Sequence, residues 1–244
     1  MLSIAAIPAV YDANTIRKAT KGLGTDEDTL IEILGTRSPA EIEQINIEYK
    51  NTDSKGQELL ALINSETGGK LREMFRGILG ERKAYNPDEV ADHVAALYRA
   101  GEGKIGTDEQ TFINIVCGYE REHVLAVAAA YEAKHGKVFT DVIKSEFPRY
   151  QKKLLLALAS PVAEFLGEKI KDAFTSTNVD ETTIARIIIT QRETNISAIS
   201  AHLNNTGKPK QRKPLAQWVT EKTGGNLKTF LNAICANFVQ NERA

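Results

Sequence analysis

Two glycine-rich loops and two glutamates are the residues of this chain whose types and spacing could do chemistry. Lys21-Gly22-Leu23-Gly24 and Gly101-Glu102-Gly103-Lys104-Ile105-Gly106 each end directly before a threonine, Thr25 and Thr107. Glycine accepts left-handed dihedrals at little cost, so such loops can turn their backbone carbonyls outward. Glu66 stands 42 residues after Gly24 and just before Thr67-Gly68-Gly69, and Glu146 stands 40 after Gly106 and before Phe147-Pro148. Each glutamate ends a helical run at a second loop. Calcium takes roughly six to eight oxygen ligands, and carbonyls plus a bidentate carboxylate supply that kind of donor. If the two loops of a unit lie at the same end of its helices, three carbonyls and one carboxylate provide about five oxygens, leaving places for water or a phosphate oxygen. A carboxylate at a helix end is otherwise simply solvated, and that reading stands beside the ligand one.

The elements that must position these groups repeat. Asp26-Glu27-x-Thr29-Leu30-Ile31-x-Ile33-Leu34 recurs at Asp108 to Val116 and at Asp180 to Ile188, the signature of a tandem array. Apolar residues recur at three- and four-residue intervals, as in Ile16, Ala19 and Leu23, or Val90, Val94 and Leu97. This spacing predicts helices throughout. Gly, Pro, Asn and Ser clusters cut each unit into about five helices. An all-α fold follows, with units over 11–80, 86–160 and 161–243 and a linker-like segment over 1–10. Thr25 with Asp28, and Thr107 with Gln110, read as helix caps, the second as a capping box. Asp26, Asp108 and Asp180 read as helix-start partners of the dipole rather than as metal ligands.

Composition narrows the function. The 244 residues carry 31 basic and 32 acidic side chains, so no global field draws the chain to nucleic acid or to an anionic surface. A hydrophobic content of 42% is enough to bury a real core. Cys117 and Cys235 stand in apolar helical contexts and read as reduced core residues. No stretch approaches the length of a membrane span, and Met1 to Ile7 lacks the positive start of a signal peptide. A soluble, intracellular protein is expected.

Taken with these features, the chain resembles the annexin core. Lys21-Gly22-Leu23-Gly24-Thr25-Asp26-Glu27 followed by Leu30-Ile31-Glu32-Ile33-Leu34 resembles the annexin repeat signature, and Ala100 to Glu109 is similar to the form in that family's third repeat. The resemblance implies five-helix repeats in a curved right-handed superhelical disc that docks on acidic, phosphatidylserine-like phospholipid when Ca2+ is present. It implies one site from the carbonyls of Thr20, Gly22 and Gly24 with the carboxylate of Glu66, and a second from those of Gly101, Lys104 and Gly106 with Glu146. Leu23 and Ile105 would be apolar loop tips facing the bilayer, and the protein would be cytoplasmic, reaching the inner face of membranes as calcium rises.

The chain departs from that family in several ways. It holds three units that resemble the second, third and fourth annexin repeats, and Ile7 to Ala13 resembles the tail of a first. A missing repeat would leave an apolar flank open to self-association. The third unit has Ser176-Thr177-Asn178-Val179 in place of the glycine loop and Lys222 at the carboxylate position, with Glu221 pointing elsewhere. Two extra residues between the loops of the first unit, and Pro148-Arg149 in the second, are expected to shift the carboxylates. Arg149 would repel the ion or bind a lipid phosphate.

Other motifs are weaker. Gly101-x-Gly103-x-x-Gly106 has the dinucleotide spacing but follows a helical pattern where a strand is required. His93, His123, His135 and His202 show no catalytic grouping and read as ordinary surface or partly packed residues, so no enzyme is expected. Lys208, Lys210, Arg212 and Lys213 form a basic loop that could touch an anionic surface. A polyanion-binding role for that loop is opposed by its lack of aromatic stacking residues. The rival to calcium-dependent membrane binding is a cytoskeleton-associated structural protein that has lost its calcium sites.

Overall fold

The computed structural model describes residues 6–53, 56–103, 106–209 and 212–241, with side chains over 8–236 of these. Among the described residues it is all-α, as the apolar periodicity predicts, and its only ladder contact is an isolated parallel bridge between Lys83 and Tyr119. Among the described residues fifteen α-helices follow one another in three sets of five. The first set is α1 (Ala6–Ala19), α2 (Glu27–Thr36), α3 (Pro39–Thr52), α4 (Leu59–Glu66) and α5 (Gly69–Leu79). The second is α6 (Pro87–Ala100), α7 (Glu109–Phe112, continued by a π turn over Ile113–Cys117), α8 (Arg121–His135), α9 (Phe139–Glu146) and α10 (Arg149–Ala159). The third is α11 (Val162–Thr175), α12 (Glu181–Gln191), α13 (Ile196–Asn205), α14 (Leu215–Lys222) and α15 (Gly225–Asn241). Helix α1 runs through the start expected at Tyr11.

The chain divides into two compact units, Met1–Pro161 and Val162–Ala244. In the first unit α2 is a central helix, with Thr29 through Thr36 all buried. It crosses α10 closely: a side chain at Gly35 would come within 2.8 Å of Ala157 Cβ, so only glycine fits there. Arg121 joins the same elements, donating to the carbonyls of Gly35 at 2.6 Å, Ala157 at 2.7 Å and Ser160 at 2.5 Å. Those carbonyls end α2 and α10 and have no partner within their helices. In the second unit Leu166, Ile170, Phe174, Ile184, Ile188, Trp218 and Leu231 form the core, with Phe174 stacked on Trp218 at 5.4 Å. Phe230 on α15 stays half exposed.

Several local expectations are corrected. The helix caps at the first loops are Asp26 and Asp108, which accept from the backbone N–H of Thr29 at 3.0 Å and of Thr111 at 3.3 Å. Asp28 pairs instead with Lys153 at 2.5 Å, and Gln110 accepts from Lys70. The capping box lies at Ser38 and Glu41 on α3. The histidines are not all ordinary: His123 is fully buried, and its Nε2 lies 2.8 Å from His93 Nδ1. Backbone N–H of Asn86 donates to His123 Nδ1 at 3.3 Å, so His123 carries its proton on Nε2 and donates it to His93. Burial holds both imidazoles below their ordinary pKa. Both cysteines are free and buried, and burial pushes the Cys117 thiol up to about 12 and that of Cys235 to about 11.

Candidate metal centre

Each of the first two sets of helices brings its two loops together at one end. Helix α1 stops at Ala19, whose carbonyl accepts from Asp26 N–H at 2.8 Å; in the second set Ala100 accepts from Asp108 N–H at 2.7 Å. This bond pinches the first loop into a closed excursion between two helices. At its crest Gly22 and Gly24 take φ of +108° and +90°, and Gly106 takes +82°, a region that side chains disfavour. Among the described residues, none donates a hydrogen bond to the carbonyls of Thr20, Gly22, Gly24, Gly101 or Gly106. Leu23 is fully exposed at the tip. Lys104 and Ile105 lie outside the described residues.

The second loops supply the carboxylates. Thr25 Oγ1 donates to the Glu66 carbonyl at 3.0 Å and to Glu66 Oε2 at 3.3 Å. Thr107 Oγ1 donates to Glu146 Oε2 in a short hydrogen bond. The Glu146 carboxyl also packs on Gly101, with its Cδ 3.6 Å from where a side chain there would begin. Glu66 opens on a cleft of about 390 Å³ whose far side is Pro148, Arg149 and Tyr150. By residue type both threonines suit a helix cap. Their reach to a carboxylate some forty residues away carries no local sequence signal.

The expected displacement of the carboxylates is not seen. The longer connection of the first set falls between the end of α3 at Thr52 and the start of α4 at Leu59, and α4 and α9 are both eight residues long. Glu66 and Glu146 therefore both end their helices. Arg149 takes φ of +31°, where Gly69 and Gly225 take +54° and +55°, so the turn keeps its shape without glycine. Its guanidinium lies over the Tyr150 ring at 4.5 Å and donates to Tyr150 Oη at 3.0 Å. Glu102, in the second set's first loop, accepts from Tyr131 Oη at 2.9 Å and from Lys137. The Lys137 hydrogen bond holds its carboxyl below the usual range.

The third set keeps the frame but has neither the glycine loop nor the glutamate. Asp180 N–H donates to Ala173 at 3.1 Å, and Asp180 accepts from Thr183 N–H at 3.0 Å. Burial pushes the Asp180 carboxyl up, but hydrogen bonds from Thr183 and the Arg186 charge prevail and hold it below its ordinary value. Ser176 Oγ donates to the carbonyl of Asn178, the counterpart of Gly24. Val179 replaces the threonine and exposed Lys222 the carboxylate. Glu221 is bound to Lys213 and Gln217. The basic loop lies at the other end of α14 from Lys222, about 12 Å along an eight-residue helix. Lys208 and Arg212 there are exposed and Lys213 is partly covered by Trp218; Lys210 lies outside the described residues.

Oxygen donors alone, from outward carbonyls and a carboxylate, suit a hard divalent cation such as calcium. Among the described residues no cluster of three His, Cys, Asp or Glu side chains offers a different metal site. No described helix is long and apolar enough to cross a membrane.

Comparison with known proteins agrees with this architecture. The annexin family model matches residues 11–78 and 93–158. Mouse annexin A3 is 32% identical over 96% of the chain and 73% of its own length, and human annexin A4 is 31% identical over 93% and 71%. A solved structure of annexin III superposes with a TM-score of 0.83 at 30% identity, covering 93% of this chain and 71% of that one. With its repeated helices, its glycine loops and these relatives, the chain belongs to the annexin family.

Proposed function

We propose that this annexin binds anionic phospholipid membranes through calcium, as a reversible peripheral scaffold rather than an enzyme. The observation that carries the reading is the pairing of an outward-facing glycine loop with a carboxylate in the first two helix sets, Thr25 with Glu66 and Thr107 with Glu146. The carbonyls of Thr20, Gly22 and Gly24 with Glu66, and those of Gly101, Lys104 and Gly106 with Glu146, would each hold one Ca2+. When bound, the ion supplies a positive bridge whose remaining coordination places take lipid phosphate oxygens.

The protein's own groups do the rest. Leu23, and Ile105 in the second loop, meet the acyl boundary, and the cleft beside Glu66 leaves room for a headgroup. An incomplete shell makes each site weak in solution and stronger with lipid, and the coupling is reciprocal: calcium raises lipid affinity by the same factor. Two sites on one protein add avidity. Lys208, Lys210, Arg212 and Lys213 add a diffuse attraction that salt screens. This activity places the protein on the cytoplasmic face of membranes as calcium rises.

Cosedimentation with phosphatidylserine vesicles, in calcium and in chelator, tests the reading. Wild type pellets only with calcium; Glu66→Gln or Glu146→Gln each lose more than half of the binding, and the double variant stays in the supernatant. The rival reading, filament association without calcium, predicts no vesicle pelleting at millimolar calcium and pelleting with filaments in chelator.

A further inference from the structure

The hydroxyls of Thr25 and Thr107 stand beside the two proposed calcium sites without belonging to the ligand sets. Each belongs to the residue directly after a left-handed glycine, Gly24 or Gly106, and each donates to the glutamate of the other loop. Neither caps its helix, because Asp26 and Asp108 accept the helix N–H groups. The neighbouring aspartate thus frees the threonine to face the carboxylate.

A glutamate at a helix end has several rotamers of similar energy, and fixing such a long side chain costs up to about 2 kcal/mol in lost freedom. Each carboxylate oxygen has two lone pairs. A hydroxyl that takes one lone pair of Oε2 leaves Oε1 and the second Oε2 lone pair open for a bidentate cation, and it sets the plane in which they lie. The third helix set provides an internal control. There the glutamate position is Lys222, and the threonine position is Val179, a side chain of nearly the same shape without the hydroxyl. Hydroxyl and carboxylate are present together twice and absent together once.

Resting on the calcium reading above, we propose that Thr25 and Thr107 are positioning residues, which hold the carboxylates of Glu66 and Glu146 turned toward their glycine loops before the ion arrives. The two are unequal. Thr107 donates to the carboxylate alone, whereas Thr25 shares its one hydrogen between the Glu66 carbonyl at 3.0 Å and Oε2 at 3.3 Å. Losing a hydrogen-bond partner of a metal ligand typically lowers metal affinity by about 10- to 100-fold. The Thr107 site should therefore lose about tenfold, and the Thr25 site only a few-fold.

Calcium titration by calorimetry, with phosphatidylserine vesicles present, tests this one site at a time. In a Glu66→Gln background, Thr107→Val is expected to weaken calcium about tenfold and Thr107→Ser to restore it; melting temperature in chelator shows that each variant is folded. Calcium affinity unchanged by Thr107→Val, or lowered equally by Val and Ser, overturns the positioning role. If Glu146→Gln in the same background still abolishes binding, the membrane reading survives that failure. If Glu146→Gln has no effect either, both fall together.

Discussion

The loop after α1 and the loop after α11 close with the same hydrogen bond, from Asp26 to Ala19 and from Asp180 to Ala173, yet the carbonyl before the threonine position is without a described donor in the first and accepts from Ser176 in the second. What separates them is small. Gly24 with φ of +90° has become Asn178, whose carbonyl is held by the Ser176 hydroxyl. The polar frame of a helix junction thus survives the loss of what it carried, because the Asp cap and the pinching bond serve the helices themselves. Stability keeps the frame in all three copies, and only the ligand residues are free to drift.

The strongest way to break that contrast is to rebuild the lost loop. Ser176→Gly, Thr177→Leu, Asn178→Gly and Val179→Thr with Lys222→Glu should raise the calcium stoichiometry on vesicles from two to three. Lys222→Glu alone should leave it at two, because the Asn178 carbonyl remains occupied.

A second contrast lies inside the helices. Seven residues before Ala19, Ala100 and Ala173 stand Asp12, His93 and Leu166; eleven after each capping aspartate stand Arg37, Tyr119 and Gln191. These positions hold a buried ion pair in the first copy, a histidine and tyrosine in ring contact in the second, and a leucine and a glutamine in the third. In the first copy the Arg37 guanidinium donates twice to Asp12, at 2.7 and 3.1 Å, with both side chains almost fully buried. Asp12→Asn removes the carboxylate that accepts twice from that guanidinium, leaving the charges of Glu41 and Glu32 to act on it, and should cost about 3 kcal/mol in denaturant unfolding.

In the second copy the histidine makes stability depend on pH. Burial holds the folded His93 and His123 below their ordinary pKa, with Glu89, Asp92, Lys83 and Tyr119 around them. Unfolded histidines titrate near 6.5, so below that value the unfolded chain binds more protons than the folded one. Stability therefore falls as pH drops through 6.5, and this loss levels off only below the folded pKa values. Unfolding between about pH 7.5 and 5 should show this slope, and His93→Asn should roughly halve it.

The smallest effect concerns Arg149, which occupies a turn position held by Gly69 and Gly225 in the other copies. A non-glycine residue in a left-handed conformation costs roughly 1–2 kcal/mol, partly offset here by the contact with Tyr150. Arg149→Gly should raise stability by about 1 kcal/mol or less, read as a higher melting temperature. No gain would mean that the Tyr150 contact fully compensates the turn.

The sequence by itself determined the helices, the threefold pattern, the glycine loops and the replacement of the loop glycines and the glutamate in the third copy. Each of these is a local property: apolar spacing sets a helix face, glycine opens a dihedral region, and Lys222 cannot ligate a cation. Only the tertiary structure decided which residue caps each first loop. Thr25 and Asp26 are both good caps by type; α2 starts at Glu27, which puts Asp26 at the cap, and the Thr25 hydroxyl reaches Glu66, some forty residues on. Distance along the chain hid the His93–His123 pair in the same way, and hid the fact that the extra residues of the first copy are absorbed between α3 and α4. Such partners are chosen by packing across helices, and no spacing rule within one helix contains them.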